Sequence, residues 1–415
     1  MARELDVYLY RHLVGKLVQD NHGEITFQYN ENWINDPQAI PLSQSLPLRR
    51  QDFPRRECIG FFNGILPEGK NRETVAHNLG ISARNDVKML EEIGGECAGA
   101  VTFLPYGESL PAESKEYQTL NEKTLADRLR ELPRRPLLAG ESQIRLSLAG
   151  VQNKIAVCVA EGQISLPLKG APSTHIIKPA IGDFDAIVSN ELLCMRLAKA
   201  VWLTTASVEL GRVEDIDYLL VERYDRVKDE IQGLKRIHQE DFCQALGITS
   251  DHKYQAEGGP SITQCIELLR KACTAPVRDI LRFLDSIIFN YLIGNNDAHG
   301  KNFSLLYRGF PPQPQMTVFA PLYDLVSTVY YPNLSLRMAM KLGGEYISER
   351  IMPENFDQFA EEAKLGKPRL RKRIQELAHL IQSKLPTITR NLPAGAKIAA
   401  CIHQRCDHTI EMFRK

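Results

Sequence analysis

Gly294-Asn-Asn-Asp-Ala-His-Gly-Lys-Asn-Phe303 is followed downstream by Tyr323-Asp324. Asp297 and Asn302 therefore stand five residues apart, ahead of a further aspartate, which is the spacing of a kinase catalytic loop and its metal-binding aspartate. Phosphoryl transfer needs a carboxylate to orient the attacking hydroxyl and oxygen ligands to hold magnesium on the phosphates. The pattern predicts Asp297 as the proton acceptor and Asn302 and Asp324 as the Mg²⁺ ligands.

Each of these aspartates also has a simpler interpretation. Asp297 alone could cap a turn, and Asp324 could be the N-cap of a helix that begins at Leu325-Val-Ser. The surrounding pattern favours the kinase interpretation. Residues 281–293 are apolar nearly all round, which predicts a buried helix that runs into the loop. Residues 303–307 and 316–320 predict a hairpin just before Asp324.

The chain upstream of this loop predicts a nucleotide-binding lobe and a hinge. Apolar runs and turn residues predict four strands, a helix capped by Ser189, two strands and a charged connector. In chain order these are residues 144–148, 154–159, 163–166 and 175–178, helix 189–202, strands 207–210 and 218–221, and the connector 222–226.

Four features of this lobe are candidates for contacts with ATP or for phosphorylation. The turn Ala149-Gly-Val-Gln-Asn-Lys154 can lay backbone amides over phosphates, but its single glycine is equally typical of a hairpin turn. Lys178 ends an apolar strand and either meets an anion or reaches water. Glu222-Arg-Tyr-Asp offers backbone groups to adenine, with Tyr224 against the ring, or is a charged hinge. Ser147 is either an autophosphorylation site or a strand serine that faces solvent.

Composition excludes several classes of protein. The 415 residues are 43% hydrophobic and 25% charged, and the formal net charge of zero gives no global attraction to nucleic acid. No apolar run is long enough to cross a membrane, and the charged N-terminus lacks the apolar stretch of a signal peptide. We expect a cytoplasmic protein with no membrane partner, and its nine scattered cysteines to be reduced.

Two further segments leave alternatives open. Cys401, His403, Cys406 and His408 allow zinc or a helical tail, and the helical tail is favoured because no second ligand pair stands at a standard separation. The basic run 367–373 is either a solvated helix face or a contact with nucleic acid.

The pattern as a whole predicts an α+β, protein-kinase-like, two-lobed fold. Residues 1–140 form a β-rich N-terminal subdomain with strands between 4 and 29, helices between 57 and 93, a strand at 100–104 and a loop over 105–123. Residues 141–415 form the kinase-like domain, with nucleotide-binding strands in 141–226 and a mostly helical catalytic part in 227–415.

Several strings together resemble one family, HipA, the toxin kinases of bacterial type II toxin–antitoxin modules. They span nearly the whole chain in order and are specific only in combination. They are Phe61-Phe-Asn-Gly-Ile-Leu-Pro-Glu-Gly69, Gly94-Gly-Glu-Cys-Ala-Gly-Ala100, Leu146-Ser-Leu-Ala-Gly-Val-Gln-Asn-Lys154, His175-Ile-Ile-Lys178, Val221-Glu-Arg-Tyr-Asp-Arg226, Gln239-Glu-Asp241, Lys253-Tyr-Gln-Ala-Glu-Gly-Gly-Pro260 and Gly294–Ser304.

The resemblance implies a serine/threonine protein kinase that uses ATP and Mg²⁺. Its substrate would be a component of translation, such as glutamyl-tRNA synthetase, so that growth stops and cells persist. A HipB-like antitoxin, a small helix-turn-helix dimer, would neutralise it, and the complex would repress its own operon. Operator DNA would be bound through the antitoxin, with direct contact by the basic run at 367–373 left open.

The resemblance also assigns residues. Asp297 is the catalytic proton acceptor, Asn302 and Asp324 hold magnesium, and Ser147 is the autophosphorylated serine whose modification switches the enzyme off. The residues implied to bind ATP are Ala149, Gly150, Val151, Gln152, Asn153, Lys154, Lys178, Glu222, Arg223, Tyr224, His299, Gly300, Lys301, Asn302, Tyr323 and Asp324.

Two other functions fit the same scaffold. A small-molecule or lipid kinase would use the same loop chemistry, because that chemistry does not name the acceptor. A non-catalytic ATP-binding corepressor would need neither base nor metal, and the presence of Lys178, Asp297, Asn302 and Asp324 disfavours it.

Overall fold

The computed structural model describes residues 2–110, 116–180, 184–229, 233–309 and 316–414. Its strands, in chain order, are β1 (Arg3–Leu9), β2 (His12–Gln19), β3 (Ile25–Tyr29), β4 (Phe53–Pro54), β5 (Val101–Pro105), β6 (Tyr117–Thr119), β7 (Ile155–Ala160), β8 (Gln163–Pro167), β9 (His175–Pro179), β10 (Val208–Val213), β11 (Ile216–Glu222), β12 (Arg226–Asp229), β13 (Gly233–Arg236), β14 (His238–Asp241), β15 (Ser304–Arg308), β16 (Met316–Phe319), β17 (Arg337–Leu342) and β18 (Glu345–Ile347).

Its longest α-helices lie toward the C-terminus. In chain order they are α1 (Glu31–Ile34), α2 (Arg55–Gly64), α3 (Gly69–Asn78), α4 (Asp86–Ile93), α5 (Glu122–Glu131), α6 (Ile187–Ala200), α7 (Phe242–Ala245), α8 (Ile262–Ala272), α9 (Pro276–Ile293), α10 (Pro353–Glu362), α11 (Lys367–Ile388) and α12 (Gly395–Met412).

The chain divides into two compact units, each assembled from several segments. The first contains Met1–Gly182, Gly211–Asp251 and Leu305–Thr317, and the second contains Asp183–Leu210, His252–Ser304 and Val318–Lys415. The larger sheets have the strand orders β4-β3-β2-β1-β5, β10-β11-β9-β7-β8-β6 and β14-β15-β16. The boundary near residue 140 stays a prediction.

Most of the predicted elements are confirmed. Strands β1 to β3 pair in antiparallel order, β7 to β9 and β11 form a continuous antiparallel ladder, and α9 covers the predicted buried helix. Strands β15 and β16 are the predicted hairpin, and the connecting residues 310–315 lie outside the described residues. The region from 353 onward is helical, as predicted.

Three predicted local features are wrong. Residues 144–148 form no strand, because their backbone makes a single parallel bridge, from Leu146 to Glu96, instead of a ladder with β7. Ser189 does not cap α6, which begins after Ala186 and leaves Ser189 buried inside the helix. The predicted loop over 105–123 contains β6, which pairs with β8, and the start of α5; residues 111–115 lie outside the described residues.

An apolar core joins the two large sheets of the first unit. Phe27, Phe62 and Phe103 are fully buried and lie edge to face or tilted, with ring centroids 5.4 and 6.0 Å apart. The same cluster continues to Ile155 and Ile177, on β7 and β9 of the six-stranded sheet. Burial of this continuous core therefore stabilises the N-terminal strands and the predicted nucleotide-binding strands together.

A buried ionic cluster lies beside this core, centred on the carboxylate of Glu96. Arg226 and Arg223 approach it at 2.8 and 3.2 Å, and the guanidinium of Arg236 contacts its other oxygen. Burial by itself would raise the pKa of Glu96, but Arg226, Arg236 and Arg223 outweigh it and lower the pKa to about 2. Glu96 is therefore charged at neutral pH and, together with Asp225, is a counterion of the connector arginines Arg223 and Arg226.

The Glu96→Ala variant should unfold more easily than the wild type. Among the described residues, the substitution leaves Arg236 without a carboxylate partner and Arg223 and Arg226 with Asp225 alone. The free energy of unfolding should therefore fall by about 3–5 kcal/mol. Urea unfolding at pH 7, followed by circular dichroism, measures the change. Glu92→Ala is the matched control, because Glu92 is partly exposed and pairs with Lys88 on the surface, where the loss should stay under about 1 kcal/mol. Equal losses in the two variants would contradict the role of the cluster.

A second buried carboxylate, Glu240 on β14, makes the first unit sensitive to pH. Burial raises the pKa of Glu240 to about 7, although the hydroxyls of Ser43 and Tyr307 and the backbone N–H of Gln44 donate to it and lower the pKa.

Wild-type stability should therefore fall as the pH rises from about 4.5 to about 7. In this range the folded state holds a proton on Glu240 that the unfolded chain releases, so the free energy of unfolding drops by up to about 3 kcal/mol. Thermal melts across this pH range measure the slope. Glu240→Gln removes the titration and keeps the size of the side chain, so its melts should lack this contribution. The same slope in both proteins would show that another group titrates.

Candidate active site

The loop after α9 is held by hydrogen bonds to two other segments of the second unit. Gly294 ends the helix at a φ of 70°, and a Cβ on it would lie 2.4 Å from the Val329 side chain, so glycine fits here on both grounds. The Gly294 carbonyl accepts from the Thr328 hydroxyl, which itself accepts from the N–H of Asn296 at 2.8 Å. The Asn296 carbonyl accepts from the N–H of Ala339 on β17 at 2.7 Å.

Asp297 lies at the exposed tip of this anchored loop. Its backbone N–H donates to the side-chain oxygen of Asn295 at 3.2 Å, and its carbonyl accepts from the N–H of His299 at 2.8 Å. Oδ1 of Asp297 accepts a hydrogen bond from the hydroxyl of Tyr254 at 2.7 Å. The carboxylate is thus presented to solvent from a fixed backbone, as a proton acceptor requires.

Asn302 and Asp324 lie together, as the predicted metal pair requires. The amide of Asn302 donates to Oδ2 of Asp324 at 3.2 Å, and its own oxygen accepts from the N–H of His299. The alternative interpretation of Asp324 as a helix N-cap is wrong, because no helix begins at residue 325 and Asp324 has a φ of 59°. Aspartate adopts this left-handed backbone conformation more readily than most residues do.

The remaining predicted residues of this loop are buried, unlike Asp297 at its tip. His299, Gly300 and Lys301 are inaccessible to solvent or nearly so. The carbonyl of Lys301 accepts from the hydroxyl of Tyr323 at 2.7 Å, and that hydroxyl also contacts Ser304 at 2.7 Å. Tyr323 therefore joins the loop to the segment that carries Asp324.

In the first unit, the turn over residues 149–154 is closed by its own lysine. Gly150 has a φ of 105°, and Nζ of Lys154 donates to the carbonyl of Ala149 at 2.7 Å. Asn71 donates to the carbonyl of Val151, whose side chain is exposed. No strand precedes this turn, so the hairpin-turn interpretation is wrong. The segment is a loop held by its own lysine and by residues 67–71.

Lys178, Glu222, Arg223 and Tyr224 belong to the same unit. Lys178 is buried on β9 opposite Leu219, which overturns the interpretation of a lysine that reaches water. The polar groups of Arg223 contact other parts of the protein. Its guanidinium binds Glu96 and Asp225, and its backbone N–H donates to the carbonyl of Thr174. Tyr224 is half-buried, and its hydroxyl donates to Gln239.

Ser147 is fully buried, so its interpretation as a solvent-facing serine is wrong. Its hydroxyl donates to the carbonyl of Ile65 at 2.9 Å, and its N–H donates to the carbonyl of Glu96 at 2.9 Å. Charge introduced at this position would have to leave the interior.

The basic run and the cysteine- and histidine-containing tail are accounted for by structure. Arg371 and Arg373 of the basic run each form two hydrogen bonds with an aspartate, Asp357 and Asp285 respectively. Cys401 to His408 lie on α12, which confirms the helical tail, and the described residues contain no cluster of three or more histidines, cysteines or acids that could hold a metal. Each of the nine cysteines is a thiol and not part of a disulfide. Within the described part of the chain, no helix is long and apolar enough to span a membrane.

The fold and the site define an α+β protein of the protein-kinase-like class. The chain matches the family model described as HipA-like C-terminal domain over residues 146–385 and the model of the HipA N-terminal domain over residues 5–104. It belongs to the HipA family of serine/threonine kinase toxins.

Two curated relatives and one solved structure show the extent of this similarity. The chain is 44% identical to "Putative kinase Y4mE" of Sinorhizobium fredii, over 94% of this chain and 92% of that protein. It is 29% identical to the serine/threonine-protein kinase toxin HipA of Shewanella oneidensis, over 94% and 87%. The structure of the Shewanella oneidensis MR-1 HipA, HipB and operator DNA complex superposes with a TM-score of 0.85 and 26% identity, covering 99% of this chain and 98% of that one.

Ser147→Asp should release the segment around it. A carboxylate cannot stay charged in the site that the serine hydroxyl occupies, so residues 145–154 should detach and become sensitive to protease. Limited trypsin digestion followed by mass spectrometry maps the cleavage. Ser147→Ala removes the hydroxyl without adding charge, and Ser82→Asp adds charge at an exposed serine of the same unit. Both should keep the wild-type pattern, and protection of Ser147→Asp to the same degree would contradict the argument.

Proposed function

We propose that this protein is a toxin serine/threonine protein kinase that transfers the γ-phosphate of ATP to a serine of a translation component. The observation that carries the proposal is the 3.2 Å contact between Asn302 and Asp324, with Asp297 exposed on the same anchored loop. The family and its kinase relatives support the same reaction.

The residues present fit Mg²⁺ and ATP. Asn302 and Asp324 carry amide and carboxylate oxygens, the hard ligands that Mg²⁺ prefers, on two side chains in direct contact. The amide nitrogen of Asn302 makes this contact, so metal binding would replace the hydrogen bond between the two side chains. When bound, Mg²⁺ neutralises charge on the phosphates. Asp297 would orient the acceptor hydroxyl and take its proton, and His299 to Lys301 would support the loop from beneath. Lys178 and the 149–154 turn would bind the phosphates. The connector over residues 222–224 would bind the adenine through Glu222 and Tyr224, with Arg223 holding the connector in place through Glu96 and Asp225.

Regulation would act through Ser147 and through a protein partner. Phosphorylation of Ser147 would add a dianion that cannot stay buried, so the phosphate-binding turn beside it would leave with it and activity would stop. A HipB-like helix-turn-helix antitoxin would bind the kinase and carry it to operator DNA. The solved Shewanella complex, which contains HipA, HipB and operator DNA, supports this assembly. The protein substrate would be an aminoacyl-tRNA synthetase such as glutamyl-tRNA synthetase.

Intact mass after incubation with ATP and magnesium tests the proposal on the wild type, Ser147→Ala and Asp297→Ala. One added phosphate on the wild type alone is expected, because Asp297 supplies the base and Ser147 the acceptor. Rates in Asp297→Ala should fall by at least about 100-fold. Full incorporation in Asp297→Ala would overturn the assignment of the base.

Lysate phosphorylation separates the protein kinase from a kinase of another class. Wild type and Asp297→Ala are incubated with lysate and labelled ATP, and labelled proteins are compared. A labelled protein that requires Asp297 is expected. A labelled metabolite without any phosphoprotein would instead indicate a small-molecule or lipid kinase, and ATP binding without any transfer would indicate a non-catalytic corepressor.

A further inference from the structure

Tyr254 contacts the carboxylate that the proposed reaction depends on. Its hydroxyl donates to Oδ1 of Asp297 at 2.7 Å, although the two residues are far apart in sequence. Asp297 is exposed, and a fixed backbone does not by itself set the torsions about its side-chain bonds. A contact to the carboxylate itself is therefore needed to give it one orientation.

Tyr254 is itself fixed by the turn that follows it. Its carbonyl accepts two backbone hydrogen bonds, from Glu257 at 2.9 Å and from Gly259 at 2.8 Å. Gly258 closes the turn at a φ of 101°, a conformation that favours glycine. The backbone of Tyr254 is thus set by its own neighbours.

Two further contacts tie this turn to the rest of the second unit. The side-chain oxygen of Gln255 accepts from the N–H of Lys341 on β17 at 2.7 Å. The Tyr254 ring meets the ring of His299 edge to face, with centroids 5.4 Å apart and an interplanar angle of 80°. The ring of Tyr254 therefore contacts His299, and the turn that carries it is anchored to β17, before any substrate binds.

The hydrogen bond from Tyr254 sets the direction of both carboxylate oxygens. A donor on Oδ1 of Asp297 fixes the plane of the carboxylate and with it the direction in which Oδ2 points. A proton acceptor must lie within hydrogen-bond reach of the acceptor hydroxyl in one geometry, because small displacements reduce the rate steeply. We propose that Tyr254 is a positioning residue for Asp297, an inference that rests on the proposed kinase function.

Tyr254→Phe tests this inference, because it removes the hydroxyl and keeps the ring against His299. Self-phosphorylation is followed by intact mass at a series of ATP concentrations with magnesium, and ATP affinity is measured by calorimetry. The maximal rate should fall by about 10-fold or more. The half-saturating ATP concentration and the ATP affinity should stay within about twofold, because the hydroxyl acts on the base and not on the nucleotide. Unchanged affinity also shows that the variant is folded.

Tyr346→Phe is the matched control. Tyr346 lies in the same unit and is half-buried, with Arg337 and Lys341 over its ring, so its ring contacts survive the substitution. Its maximal rate and half-saturating ATP concentration should equal those of the wild type.

Three results would overturn the inference: a maximal rate within twofold of the wild type, a faster rate, or a change confined to ATP affinity. A faster rate would mean that the Tyr254 hydroxyl competes with the acceptor. If the wild type transfers no phosphate at all, the proposed function fails first. Crystal structures of the wild type and Tyr254→Phe then decide the positioning separately: an altered or disordered Asp297 carboxylate in the variant supports it, and the same conformation in both overturns it.

Discussion

The ion pairs of the buried Glu96 carboxylate are the interactions on which the first unit depends most. Its side chain is the counterion of Arg223, Arg226 and Arg236, and its backbone pairs with the segment that contains Ser147. The connector at 222–226 and the segment that carries the proposed modification site are therefore joined through one residue. Taking the carboxylates of Glu96 and Asp225 and three guanidinium groups out of water is costly, so the cluster is stable only as a complete set.

In the second unit, neutral hydrogen bonds hold the loop that follows α9. The loop that carries Asp297 is anchored by Gly294 and Asn296, which form hydrogen bonds with Thr328 and Ala339 through their backbone groups. Each bond is worth little alone, but together they fix the loop before any ligand binds. The backbone thereby sets the position of the side chains that would do the chemistry.

The part of the fold that could be predicted from sequence is the part set by local periodicity. Strands β7 to β9 and helix α9 follow directly from apolar runs and their turn residues. The spacing of Asp297 and Asn302 predicts a catalytic loop after α9, and that assignment stays a prediction. The prediction of a strand at residues 144–148 is wrong. Alternating polarity indicates an extended chain, but it does not indicate whether a neighbouring strand is there to pair with it. The contact of Tyr254 with Asp297 gives no local signal, since it joins residues separated by helices α8 and α9.

The burial of Ser147 constrains how the proposed self-inactivation would proceed. The Ser147 hydroxyl has no exposed surface and donates a hydrogen bond to the carbonyl of Ile65. It therefore cannot contact ATP until the segment around it opens. The free energy of that local opening would then set how often the serine is available, and the active form would persist between openings. Once phosphorylated, the serine carries a charge that the interior does not accept, so the opened form is favoured. The same tight packing would thus delay inactivation and, after modification, prevent its reversal by simple reclosure.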